Sequence, residues 1–140
     1  MKHKHINRWL VIVLVIVGLG LSACGPKEIM IEKIAPSKLE PIEGTDLSRV
    51  ILTEKAAERI GIETVLASGT SVPFAAVIYD IEGNTWIYTN PEPLTFVREP
   101  IVIEEIEGDT ATLAQALGSE MNVVTVGVIE LYGTETGVSK

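Results

Sequence analysis

The fold class is decided by residues 72–106, VPFAAVIYDIEGNTWIYTNPEPLTFVREPIVIEEI. Short apolar runs in this stretch are separated by turn residues, among them Asp80 to Asn84. The strand after that turn alternates and places Trp86 and Tyr88 on one face, a pattern that predicts a β-hairpin. Turns recur about every 8 to 12 residues, which is typical of small sandwiches and barrels. We therefore predict a mainly β domain.

The same pattern continues on both sides of this stretch. On the C-terminal side, Gly118-Ser119 is a predicted turn and Val128 to Leu131 is the last predicted strand. On the N-terminal side, Thr53 is the expected cap of one short helix, Glu54 to Ile60, which Gly61 should end. The prediction is a sandwich or barrel of about eight or nine short strands with one short helix.

The start of the chain has the pattern of an export signal. Met1 to Arg8 carries three basic side chains and no acidic one, and Trp9 to Leu21 is apolar apart from two glycines. As a helix this apolar run would span roughly 20 Å, whereas a membrane span needs about 20 residues to cross about 30 Å. A signal peptide over residues 1–23, removed by cleavage, is therefore predicted, and a retained membrane anchor is the alternative.

Cys24 is the only cysteine, so it cannot form an internal disulfide. A lone thiol is usually a buried small hydrophobe or an unpaired surface group. This one follows the apolar run directly, and Leu21-Ser22-Ala23-Cys24 resembles the lipobox of bacterial lipoproteins. The resemblance implies cleavage between Ala23 and Cys24 and a diacylglycerol on the Cys24 sulfur, with no other cofactor. Two acyl chains supply on the order of 20 kcal/mol of burial. We therefore expect a lipid-anchored protein on the extracytoplasmic face of the cell membrane.

The domain boundaries follow from composition. Residues 24–46 contain three prolines among mixed charges, a composition that predicts a flexible tether. The β domain is predicted over residues 47–134, and residues 135–140 are a predicted loose tail.

Charge and residue types exclude several functions. Residues 24–140 carry 8 Lys and Arg against 19 Asp and Glu, a formal net charge of −11. Nucleic-acid binding needs basic surface and is not expected. Both histidines, His3 and His5, leave with the signal, so histidine-based catalysis is not expected either. Alternation sends Glu104 and Glu105 to opposite faces of a strand, and no calcium-loop spacing is present, so we predict no metal site. Because every candidate catalytic group lacks a partner, we also predict no enzymatic activity.

Three aromatic side chains, Trp86, Tyr88 and Tyr132, are candidates for contact with a partner. Core packing and cross-strand pairing explain most aromatic residues in sheets. Exposed aromatic residues also anchor protein interfaces. Both interpretations are left open by the sequence.

The order of several segments resembles the periplasmic adaptor subunits of efflux pumps, the membrane fusion or haemolysin-D-like proteins. Val72 to Tyr88 looks like a hairpin of their last domain, and Leu94 to Ile103 looks like the strand pair that follows it. Gly118 to Gly127 is similar to their closing strand. Val50 to Thr64 is similar to the segment that opens their mature part. In the family, the opening segment folds back onto the C-terminal segment to form the membrane-proximal domain.

The resemblance implies docking on the extracytoplasmic surface of an efflux transporter permease. Ser68 to Ser71, a predicted loop, stands where adaptors carry a lipoyl-like domain, a helical hairpin and most of a barrel. Nothing in the chain matches that long hairpin, so a part in an export tunnel is not expected. Association into a homo-oligomer is left open. The alternative is a structural or small-ligand-sensing envelope lipoprotein, for which a closed apolar pocket would argue.

Overall fold

The computed structural model describes residues 35–137. The predicted signal peptide, the cleavage site at Ala23 and the lipidation residue Cys24 lie outside the described residues. Strands account for 58% of the part described, which confirms the mainly β class. They form one antiparallel sheet of eight strands, accompanied by two short helices where one was predicted.

The elements follow one another closely along the chain. The strands are β1 (Ser37–Pro41), β2 (Ser48–Leu52), β3 (Glu63–Pro73), β4 (Ile78–Tyr79), β5 (Thr85–Glu92), β6 (Thr95–Ile101), β7 (Ile103–Glu107) and β8 (Thr110–Val126). The helices are α1 (Glu54–Ile60) and α2 (Val128–Thr136), and a 3-10 turn, Phe74–Ala76, precedes β4. The strand order is β1-β2-β6-β5-β8-β3, with β4 beside β5 and β7 beside β8. Among residues 35–137, no strand pairs with the outer side of β1 or β3, so the sheet is not a closed barrel.

Helix α1 has the predicted bounds, and its ends show why. The Thr53 side chain accepts a hydrogen bond from the backbone N–H of Ala56 at 3.2 Å, which satisfies a free donor of the first turn. Gly61 adopts a left-handed conformation with φ of 72° and donates to the carbonyl of Ala57. A residue without a Cβ takes this conformation at little cost, so the helix ends there.

Strand β5 has both faces covered because its side chains alternate between two cores. Tyr88 lies in the first, which we call the helix-side core; its buried members are Val50, Leu52, Ala56, Ile78, Tyr88, Phe96, Val124, Val128 and Leu131. Ile87 lies in the second, which we call the ribbon-side core; its buried members are Ala67, Val72, Ala76, Ile87, Ala111, Leu113 and Val123. The period-2 alternation predicted for this strand therefore serves two cores at once.

The N-terminal part of the described chain joins the same sheet. Strand β2 pairs antiparallel with β6, with Val50 opposite Phe96, and β1 pairs with β2 along its whole length. The tether predicted over residues 24–46 is therefore wrong at 37–41. Pro36 precedes β1 and Pro41 is its last residue, so neither interrupts the strand, and an edge strand needs backbone donors on one side only. Residues 24–34 of the predicted tether lie outside the described part.

Two predicted turns are instead parts of long strands. Ser68 to Ser71 belongs to β3, and Gly118-Ser119 belongs to β8. Gly69 pairs with Leu117, and the pairing register shifts on both sides of it. Bulges at a glycine with positive φ let an irregular stretch stay within the ladder. The two strands thus form a continuous antiparallel ribbon.

The C-terminal segment is a helix where a strand and a loose tail were predicted. Gly127 has a φ of 87°, and a Cβ there would meet Ile60 Cγ2 at 2.6 Å, so only glycine fits where β8 ends. The chain then turns into α2, which buries Val128 and Leu131. The strand predicted from Val128 to Leu131 is wrong. The loose tail predicted over residues 135–140 is wrong at 135 and 136, which belong to α2. Residues 138–140 lie outside the described chain.

Candidate functional site

A buried polar cluster fastens α2 to the sheet. The side chain of Glu135 is only 4% exposed and accepts hydrogen bonds from the Tyr88 hydroxyl on β5 and from the backbone N–H of Ser48 at 3.2 Å. Arg98 Nε lies 3.2 Å from the same carboxylate, an ion pair that does not meet hydrogen-bond geometry. Three elements, β2, β5 and β6, therefore compensate one buried negative charge.

Tyr88 stays protonated in this cluster. Burial, and then the hydrogen bond to the Glu135 carboxylate, raise the pKa of Tyr88 far above its ordinary value. The neutral phenol therefore donates to the carboxylate at any physiological pH.

Arg98 also orders the aromatic side chains beside it. Its guanidinium carbon lies 4.4 Å from the centre of the Trp86 ring and 5.3 Å from the centre of the Tyr132 ring. Both distances fall within the range of a cation–π interaction. Trp86 Nε1 in turn donates a hydrogen bond of 2.9 Å to Asp80 Oδ2. The indole is thus fixed on one side by a cation and on the other by a carboxylate.

Asp80 organises the turn between β4 and β5, residues 80–84, which we call the hairpin tip. One carboxylate oxygen accepts from the backbone N–H groups of Glu82 and Asn84, each at 2.9 Å, and the other accepts from the Asn84 side chain at 2.9 Å. The hydrogen bonds from Asn84 and then Trp86 lower the pKa of Asp80 to about 2. The carboxylate is therefore charged under all physiological conditions.

An open groove of about 750 Å³ lies beside this cluster; we call it the hairpin groove. It is formed by the β4–β5 hairpin and the junction of β6 and β7, and it is lined by Tyr79, Gly83, Asn84, Thr85, Trp86, Pro100, Ile101, Val102 and Ile103. None of these side chains is charged. Tyr79 is 52% exposed and Val102 is 65% exposed, so apolar surface faces solvent at this place. Such surface is typical of a site that another molecule covers.

The structure separates the three predicted contact residues. Tyr88 is fully buried, so it has no surface to offer a partner, and core packing accounts for it. Trp86 is partly buried against the helix-side core and lines the hairpin groove, and Tyr132 is also partly buried there. Partner contact through Trp86 and Tyr132 stays a prediction.

Sequence reasoning missed Glu135 and the ion pair that it makes with Arg98. A signal was present: Val128, Leu131, Tyr132 and Glu135 follow the i, i+3, i+4, i+7 spacing of one helix face. This spacing places the carboxylate on the face that α2 buries.

The acidic run on β7 is solvated. Glu104, Glu105 and Glu107 are all exposed. Within residues 35–137, no group of three or more His, Cys, Asp or Glu side chains is placed to hold a metal ion. Neither α1 nor α2, the helices of the described part, has the length and apolar character required to cross a bilayer.

No protein-family profile, curated protein or solved structure matches this chain. The resemblance to adaptor subunits therefore stays a prediction.

Proposed function

We propose that the protein is a lipid-anchored, non-catalytic binding module that docks on the extracytoplasmic face of an efflux transporter. The observation that carries this proposal is the pairing of β2 with β6, with Val50 opposite Phe96. These strands belong to the two segments that resemble separate parts of the adaptor membrane-proximal domain. Their place in one sheet supports an adaptor-type domain without the long insertion. Because fold alone does not fix function, the docking surface has to be identified from its own side chains.

The hairpin groove supports docking by its composition. Its walls are uncharged and mostly apolar, and Trp86 lies in it with its ring fixed by Asp80 and Arg98. A preorganised aromatic side chain loses little conformational entropy on binding, which is why such residues carry much of the affinity of interfaces. The groove therefore offers a partner an anchor that is already in place.

The predicted anchor keeps this groove near the membrane. Twelve residues separate Cys24 from Ser37, where β1 begins. At about 3.3 to 3.6 Å per residue they reach at most about 40 Å when fully extended. With diacylglycerol on Cys24, the first residue of β1 would therefore lie within about 40 Å of the bilayer surface, on the side where a permease exposes its extracytoplasmic loops.

The groove's volume also favours a second candidate, a small-ligand-sensing envelope lipoprotein. A volume of about 750 Å³ lies within the range of about 300 to 1,000 Å³ that small-molecule sites occupy. Such sites enclose most of their ligand, whereas this groove is open along its length. The open shape favours a protein surface as the occupant. Saturable binding of a small apolar ligand that protects Trp86 from a quencher would favour the alternative.

Co-purification from membranes tests the docking function. The full-length tagged protein is purified from detergent-solubilised membranes, with Val102→Asp as the groove variant and Leu66→Asp as the control. Leu66 is 64% exposed on β3, two strands away from β5, so both substitutions place a charge on exposed surface. We expect a transporter permease to co-purify with the wild type and with the control. About tenfold less permease should co-purify with Val102→Asp. Recovery of no transporter component with the wild type would contradict the proposal.

A further inference from the structure

The hairpin tip presents one apolar side chain entirely to solvent. Ile81 is 99% exposed, more than any other large apolar residue in the described part of the chain. Tyr79 and Gly83, the residues two positions to either side, line the hairpin groove. Ile81 therefore lies on the turn that joins two lining residues of the groove, although it does not line the groove itself.

The tip that carries Ile81 is rigid. In addition to the bonds that the Asp80 carboxylate accepts, the backbone N–H of Asp80 donates to the carbonyl of Asn84 at 3.0 Å, and that of Gly83 donates to the carbonyl of Asp80 at 3.1 Å. Gly83 supplies the positive φ of 89° that this turn requires. A side chain displayed on a fixed turn binds with a smaller loss of entropy than one on a loose loop. The fixed turn distinguishes Ile81 from a single exposed apolar side chain on a loose loop.

The charge around the tip defines the partner. Residues 61–137 contain twelve acidic side chains and one basic one, Arg98, which is buried against Glu135. Asp80 and Glu82 flank Ile81 directly, whereas the other four basic side chains of the described chain lie on β1, β2 and α1. Complementary potentials favour a partner that carries Lys and Arg, and like charge disfavours a membrane surface of anionic lipid.

We propose that the hairpin tip is a docking knob: Ile81 inserts into an apolar pocket of a partner protein, and Lys or Arg side chains on the rim of that pocket meet Asp80 and Glu82. This inference rests on the proposed docking function and adds the element that enters the partner and the chemistry of the surface that receives it. The hairpin groove then takes the partner's apolar surface next to its pocket.

Site-specific photo-crosslinking tests the knob. Benzoylphenylalanine is placed at position 81 of the full-length, lipidated protein in its host cells, and at position 66 as the matched exposed control. We expect position 81 to form an adduct with a peptide of another protein that contains Lys or Arg beside apolar residues, at a yield at least tenfold above that of position 66. Adding Glu82→Lys should lower that yield about tenfold, because a like charge then faces the basic rim.

Several outcomes would overturn the knob: adducts at position 81 with lipid alone, adducts with a second copy of this chain, or a yield equal to that of position 66. A yield that Glu82→Lys leaves unchanged would overturn the basic rim. The crosslinking result tests the knob, and the co-purification result tests the docking function, so one can fail without the other. If the permease co-purifies while position 81 gives no protein adduct, the knob fails alone; if position 81 captures a basic-rimmed pocket of a protein that is not a transporter, the knob stands and the transporter assignment fails.

Discussion

The helix-side core and the ribbon-side core share β5 and β8 but are built from different chemistry. The helix-side core borders a buried charge, because the Tyr88 hydroxyl reaches Glu135 and Arg98 at its edge. The ribbon-side core is formed by apolar side chains alone, three of them alanines. Apolar packing tolerates swaps that conserve volume, whereas a buried charge requires its partners in one geometry. The position of α2, and with it the Trp86 wall of the groove, therefore depends on this carboxylate in addition to the burial of Val128 and Leu131.

Removal of that carboxylate should have the largest effect. Glu135→Ala leaves Arg98 buried without its counter-charge and the Tyr88 hydroxyl without its acceptor, and we expect it to lower the free energy of unfolding by about 3 to 5 kcal/mol. The control is Glu130→Ala on the exposed face of the same helix, which should change it by less than about 0.5 kcal/mol. Urea denaturation measures both variants. Equal effects would show that the charge does not fix α2.

The stability that the ribbon-side core provides should depend on side-chain volume alone. Leu113 is 2% exposed, and Leu113→Ala should lower the free energy of unfolding by about 2 to 5 kcal/mol through lost burial and a cavity. Leu113→Met, which nearly conserves volume, should cost less than about 1.5 kcal/mol. The same urea experiment compares the two. A methionine variant as unstable as the alanine variant would mean that this core also requires one specific geometry.

The smallest expected effect is on the hairpin tip at low pH. The folded pKa of Asp80 is lowered from 3.8 to about 2, so the hydrogen bonds of its carboxylate stabilise the turn above pH 3.8 and are lost as the pH falls towards 2. The indole N–H resonance of Trp86, which donates to this carboxylate, should titrate with a midpoint near 2. Asp80→Asn should abolish that titration. A midpoint near 3.8 in the wild type would contradict the bond network described for the tip.

The two helices show how far the sequence predicts this fold. Helix α1 was predicted with its exact bounds because Thr53 and Gly61 are strong local signals of a start and an end. Helix α2 was missed because Val128 and Ile129 are β-branched, and four residues, three of them apolar, are too few to distinguish strand from helix. The long β3–β8 ribbon was missed because glycines that usually mark turns are absorbed there as bulges.

The candidate site was only partly predictable for a related reason. Trp86 was selected because aromatic residues, which anchor interfaces where they are exposed, are recognisable by type. The contacts that hold it join residues far apart in the chain: Glu135 on the last helix reaches Arg98 on β6, and neither side chain lies in a local motif. Such pairing depends on the register of β5 with β6 and on the docking of α2, both of which are set by tertiary packing.

The measurement that bears most directly on the whole account is the mass of the mature N-terminus. The full-length protein, expressed in its host and extracted from the membrane fraction, is digested, and its first peptide is analysed by mass spectrometry. We expect the peptide to start at Cys24 and to carry the mass of diacylglycerol on its sulfur, and we expect Cys24→Ala to move the folded domain out of the membrane fraction. An unmodified cysteine at the start of the mature chain, or an intact segment 1–23 in the protein that reaches the membrane, would contradict it.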